Sequence, residues 1–368
     1  MKNKKKLIVA VIGIFLVLVV MFFFIINNYT RNTNSDKIKN IITTQLKSMK
    51  NRHVLHTATL LDNGNVLIQG GFEGYNNAEI YNFKKKTFKY INNNISLGLG
   101  NALLLKNGHL LIIGYNIIDY NPKNNSFTIK IKANKTLPKL LLLDESHIFI
   151  YAGMREQSKT NISEYFQIYD LSNNTLKSID KPKKVNTKYI EAKLLPNNNI
   201  LLFGNGFSII YNYKTNKFLN YRKIDISHIK TTSIKNNKNE FLILYSSNQG
   251  LSGRKLGYYN PSTNNVTQVR IKEQLYGAFE VVEIPNKKLL LIGVAEGLSP
   301  QKRIGRAIYL FNANDNTMKK LGNMKYYRAM HRCTLLNDNQ TVLITGGTNT
   351  IYTTDALNTA ELLIVEEK

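Results

Sequence analysis

An aromatic residue followed by Asn or Asp, with an apolar residue seven positions after the aromatic, recurs down this chain. Tyr81-Asn82 with Phe88, Tyr120-Asn121 with Phe127, Tyr169-Asp170 with Leu176, Tyr211-Asn212 with Phe218, Tyr259-Asn260 with Val266 and Phe311-Asn312 with Met318 all keep that offset. Between the two landmarks lies a run such as NPKNN, DLSNN, NPSTN or NANDN, whose Asn, Asp and Pro favour tight reversals. A constant offset across a turn pins the register of two antiparallel strands, so the chain reads as copies of one strand-rich unit.

A second landmark precedes the first in each copy. Short apolar runs end in Gly at 66–71, 110–114, 148–153, 200–204, 289–293 and 342–347, with a weaker copy at 241–245 that ends in Ser246-Ser247. With an opening and a closing strand added, each unit holds four strands, and units start near 49, 97, 136, 185, 228, 275 and 324. Four antiparallel strands repeating every 40–50 residues or so is the pattern of a β-propeller blade. One small twisted sheet cannot bury both faces alone, whereas sheets stacked around an axis bury each face on a neighbour.

The last unit is incomplete, because its third strand, at 360–365, runs almost to Lys368. Setting Met49 on Met324 places residues 38–47 in the register of a closing strand. This segment is therefore expected to complete the seventh blade and latch the ring, against a competing helical reading of Ile38, Ile41, Ile42 and Leu46.

The N-terminus carries an address. Lys2, Lys4, Lys5 and Lys6 precede an apolar stretch at 7–26 without charge or Pro, long enough to cross a bilayer as a helix. It ends in large apolar residues rather than a small-residue cleavage site, which favours an uncleaved signal-anchor. The lysines of the tip (1–6) then stay in the cytoplasm. Residues 27–36 form a linker, and 37–368 lie beyond the membrane. The expected architecture is all-β, a seven-bladed propeller preceded by one transmembrane helix. Fifty Lys and Arg against 24 Asp and Glu give a net charge of +26. Such a balance usually points to polyanions, but these lysines are spread over turns of an Asn- and Ile-rich chain, as compositional bias also produces. The topology removes nucleic acid as a partner. The single Cys333 allows no intrachain disulfide.

The outer two copies carry a family resemblance. Arg52, His56-Thr57-Ala58-Thr59-Leu60-Leu61, Gly70-Gly71 and Ala78-Glu79-Ile80-Tyr81 return as Arg328, His331, Thr334-Leu335-Leu336, Gly346-Gly347 and Ala360-Glu361-Leu362. These residues resemble the kelch repeat of seven-bladed propellers such as the central domain of galactose oxidase, in a membrane-anchored bacterial form. The repeat's closing-strand Trp is replaced by Phe88, Phe127 and Phe218. The resemblance implies an architecture more directly than an activity, since some kelch-type propellers are copper oxidases and others act on sialic acids.

Chemistry-bearing residues are few. His56 and His331 occupy equivalent repeat positions and read as part of the blade signature. His53, His109, His147 and His228 show no metal-type spacing, and no metal or cofactor is implied. Cys333 replaces Ala58 of the first copy and reads as a small buried residue. Glu191 and Glu280 fall at the Thr57 position, where they would face the central channel as an acid/base pair of an envelope enzyme acting on an acidic sugar, of the sialic acid mutarotase or epimerase kind. The favoured alternative is a binding module. Loops after the Gly-ended strands and between blades open on one face, and carry Arg52, His53, Tyr75, Arg155, Arg254, Arg303, Arg306, Tyr327 and Arg328. Arg and Tyr together suit an acidic glycan or an envelope protein, through forked hydrogen bonds and stacking.

Overall fold

The computed structural model describes residues 38–367 apart from 74–75, 156–164, 188–189, 247–252, 296, 298–303, 351 and 353–354. The cytoplasmic tip, the apolar stretch at 7–26 and the linker lie outside the described residues. No helix among the described residues is long and apolar enough to cross a membrane.

The unit Thr43–Ile364 is compact and all-β. The strands form seven four-stranded sheets, six of them paired antiparallel in sequence order, and one two-stranded sheet of Lys135–Thr136 with Met154–Arg155. Blade 1 comprises Thr57–Leu60, Val66–Gln69, Ala78–Asn82 and Thr87–Ile91. Blades 2 to 6 repeat this order and open on Asn101–Leu104, Lys139–Leu142, Glu191–Leu195, Ser227–Lys235 and Glu280–Ile284. Blade 7 opens on Arg332–Leu335 and continues through Thr341–Thr345 and Ala360–Glu367, with Ile38–Gln45 as its outermost strand. The weak fifth copy has its physical counterpart in register shifts between its first two strands.

Alternation explains the packing. The second strand of each blade is buried along nearly its whole length, as in Val66–Gln69, Leu110–Ile113 and Lys288–Val294, because both of its faces meet neighbouring sheets. The outermost strands are mostly exposed and rich in Lys, as in Ser126–Lys132 and Lys217–Lys223, which discourages edge-to-edge pairing with other chains. Each apolar cluster spans two consecutive blades: Leu61, Leu67, Leu110 and Ile112 join the first to the second, and Phe149, Phe166, Leu202 and Phe207 join the third to the fourth. Each such buried side chain is worth about 1.5–3 kcal/mol. The ring closes because Val66, Ile68 and Tyr81 of blade 1 share a cluster with Leu336, Leu343 and Leu362 of blade 7. Thr334 Oγ1 also donates to the Ala58 carbonyl at 3.0 Å between the two innermost strands.

The aromatic-plus-seven landmark is a cross-strand pair. Tyr81 faces Phe88, Tyr120 faces Phe127, Tyr211 faces Phe218 and Phe311 faces Met318, with ring centroids 4.7 Å apart in the Tyr120–Phe127 pair. The turn between the paired strands has a fixed anatomy. Asn125, Asn174, Asn216, Asn264 and Asn316, each five residues after the aromatic, adopt φ of 57°, 56°, 55°, 63° and 57°, a left-handed conformation that Asn tolerates better than other side chains.

Candidate functional site

The outermost strand of blade 6, Thr317–Arg328, is long and irregular. It pairs in register from Thr317 to Lys320, skips Leu321 to pair again at Gly322 and Asn323, then shifts once more and regains its partner only where Arg328 meets Gly305. A bulge of this kind turns side chains away from the sheet. It presents Lys325, Tyr326 and Tyr327, which with Ile304, Asn349 and Leu357 line a groove of about 440 Å³ on the loop face. Tyr327 is 45% exposed, and the Arg306 guanidinium lies 5.0 Å from its ring centroid. The groove therefore offers an aromatic surface backed by a cation, beside a second aromatic and a lysine. Such a surface stacks on a sugar or peptide ring and attracts an anionic substituent.

What holds the bulge is Arg328 beneath it. Arg328 and Glu361 are both fully buried and meet at 3.0 Å. Arg328 Nη1 donates to the carbonyls of Gly346 (2.6 Å) and Thr359 (3.1 Å), and the Lys325 amide donates to the other Glu361 oxygen at 2.7 Å. Burial lowers the Arg328 pKa, and Glu361 opposes that shift. Blade 1 builds the same support differently. Glu79 accepts the Lys50 and Asn51 amides at 2.9 and 2.8 Å, and the residue that spans from this carboxylate to the Gly70 carbonyl is His53, at 3.5 and 3.0 Å. Burial raises the Glu79 carboxyl, but the His53 and backbone hydrogen bonds outweigh it and bring its pKa below the ordinary value. His53 is thus the counterpart of Arg328. The sequence pairing of Arg52 with Arg328 is corrected here: Arg52 is exposed, one residue out of register.

At the axis, neighbouring inner strands are tied by ion pairs. Glu191 accepts from Lys139 Nζ at 2.8 Å and from the Tyr151 hydroxyl at 3.2 Å. Glu280 accepts from Lys230 Nζ at 2.9 Å and Arg332 Nη1 at 2.7 Å. Burial pulls the Glu280 carboxyl up, but Lys230 and Arg332 overcome it and hold the pKa at about 2. Burial and Glu191 push the Tyr151 hydroxyl well above its ordinary value. Close by, His331 is fully buried and its pKa falls to about 4, chiefly through burial. Burial raises the Cys333 thiol well above its usual value. A carboxylate fixed at about 2 and a thiol fixed as a thiol make poor general acids or bases near neutrality.

Of the residues expected on the loop face, Arg306 and Tyr327 come together at the groove. His53 and Arg328 are buried supports, so the expectation that they meet ligand directly is corrected. Arg254 stands apart, its guanidinium 5.2 Å from the Phe279 ring centroid. Arg155 lies in the two-residue strand Met154–Arg155, opposite Lys135. Tyr75 and Arg303 lie outside the described residues. The sequence reading missed Lys325 and Asn349. The available signal was the Lys-Tyr-Tyr run between Met324 and Arg328, which has no aromatic counterpart after Met49.

No family model matches the chain, and no curated protein matches it. Among solved structures it is similar to a fungal alcohol oxidase of the AA5 family in complex with copper, at a TM-score of 0.67 and 13% identity. The match covers 88% of this chain and 76% of that one. The likeness is one of fold, and supports a kelch-like seven-bladed propeller. Among the described residues no three His, Cys, Asp or Glu side chains are grouped to hold a metal ion.

Proposed function

We propose that this chain is a membrane-anchored, extracytoplasmic binding module whose loop face takes an acidic glycan of the cell envelope. The observation that carries this reading is the exposed Tyr327 ring with Arg306 stacked on it, beside Lys325 and Tyr326 in one groove. Loops on a rigid scaffold are where binding usually resides, and the propeller supplies the scaffold. The apolar stretch at 7–26 supports the anchor. The rival reading, an envelope enzyme acting on an acidic sugar, needs Glu191 and Glu280 as an acid/base pair. Their engagement by Lys139, Lys230 and Arg332 weighs against it. An array of acidic and neutral glycans and envelope proteins, probed with the detergent-solubilised chain, tests the proposal. Retention on acidic glycans that is lost with Tyr327→Ala is the expected result. Capture by envelope proteins alone, or turnover of a bound acidic sugar, overturns it.

A further inference from the structure

In blades 2 to 5 the buried tyrosine of the third strand donates its hydroxyl to the left-handed Asn five residues on, at 2.8 to 2.9 Å. Blade 1 departs from this rule. Lys86 occupies the Asn position at φ +52°, and the buried Tyr81 hydroxyl has no hydrogen-bond partner. Lys86 ends the run Lys84-Lys85-Lys86, all three exposed, with no ion pair to any of them among the described residues. The local structure is worse for this lysine, so the turn's own geometry does not account for the basic run. A local rule broken without a structural gain marks a functional position.

The placement of the turn gives the reason. Strand direction alternates within a blade, so turns such as 83–86 lie on the face opposite the loop face. The segment from Thr43 to Met49 runs toward the loop face: the Leu46 amide donates to the Ala360 carbonyl at 3.0 Å and the Met49 amide to that of Asn358 at 2.8 Å. Followed backward, the polypeptide heads for the short-turn face from blade 7, which packs directly against blade 1. Residues 27–37, between the apolar stretch and the first strand, span at most about 40 Å when fully extended. A membrane surface is thus within reach of that face, and blade 1, one of the two blades flanking blade 7, presents three exposed lysines there.

We propose that the Lys84–Lys86 turn docks on the anionic lipid headgroups of the bilayer holding the N-terminal stretch, so that the propeller stands on its short-turn face with the loop face outward. This rests on the anchor in the function proposed above. Juxtamembrane lysines are drawn to anionic headgroups over about a Debye length, roughly 10 Å at 0.1 M salt. Distance and charge therefore have to coincide, as they do at blade 1.

The chain has no tryptophan, so a single introduced Trp reports its own position. Full-length Thr87→Trp, beside the turn, and Tyr352→Trp, on the loop face, are reconstituted into vesicles of phosphatidylcholine with or without phosphatidylglycerol, using brominated lipids as quenchers. Quenching at Thr87→Trp is expected to rise at least twofold with the anionic lipid and to fall back in 0.5 M salt or with K84Q/K85Q/K86N. Tyr352→Trp should not respond. Acetylation of Lys84 and Lys85 in the unaltered chain provides a second readout, with severalfold protection expected in the anionic vesicles alone. Equal quenching and acetylation in both vesicle types overturns the docking while leaving the anchor standing. Failure of the chain to float with either vesicle overturns both.

Discussion

The Tyr120 hydroxyl donates to Asn125 Oδ1 at 2.8 Å, five residues further along the same turn. The bond satisfies a buried hydroxyl, and the same Asn accepts the left-handed backbone the turn requires. In blade 1, Lys86→Asn should supply both benefits. Relief of the left-handed lysine and the recovered hydrogen bond together are worth about 1–2 kcal/mol, seen as a higher melting temperature. Conversely, Asn125→Ala should cost about 1–3 kcal/mol by orphaning Tyr120, and a Tyr120→Phe background should erase most of that cost.

Removing one partner of the Arg328–Glu361 pair leaves a buried charge without its counter-ion. Arg328→Met should destabilise by about 3–5 kcal/mol, measured by denaturant unfolding. Adding Glu361→Gln to Arg328→Met should recover part of the loss, because it removes the stranded charge.

His331 predicts acid lability. An unfolded histidine takes up its proton near pH 6.5, whereas the folded one resists until about 4. The unfolded state therefore binds the extra proton across that window, and stability falls as pH drops from 6.5 to 4. The full loss is on the order of 3 kcal/mol. His331→Asn, which cannot titrate, should flatten this part of the pH–stability curve. Glu280 acts in the same direction lower down, between 4.5 and about 2, where protonation dissolves its pairs with Lys230 and Arg332.

At the groove, Tyr327→Ala and Arg306→Ala should each weaken ligand binding about tenfold, of the order expected for loss of a stacked ring or a cation–π contact. Because Tyr327 and the Arg306 head lie at the surface, neither change should shift the melting temperature by more than a degree or two. Arg52→Ala, at an exposed position that does not line the groove, should leave binding unchanged.

Deleting residues 38–47 should lower the melting temperature sharply, since Ala360–Glu367 would then become an open edge. An unchanged melt would show that the seventh blade is complete without them.

Much of the fold was legible because its determinants are local. The offset of seven from aromatic to apolar residue measures a two-strand register, and it survives where the rest of the repeat has decayed. The site was less legible because it depends on a bulge. The register shift before Arg328 depends on how Asn323 and Arg328 find partners on Gly305–Asn312, and periodicity is blind to it. For the same reason Arg328 was matched to Arg52. Only the shared hydrogen bond to Gly346 or Gly70 shows that a buried histidine and a buried arginine do one job.

The bond from Thr334 to the Ala58 carbonyl joins positions 276 residues apart. Contacts of such sequence separation are slow to form, and this one requires nearly the whole polypeptide to have been synthesised. Until then the first-made sheet waits with one flank bare. A chaperone that shields that flank would govern yield more than any single stabilising substitution.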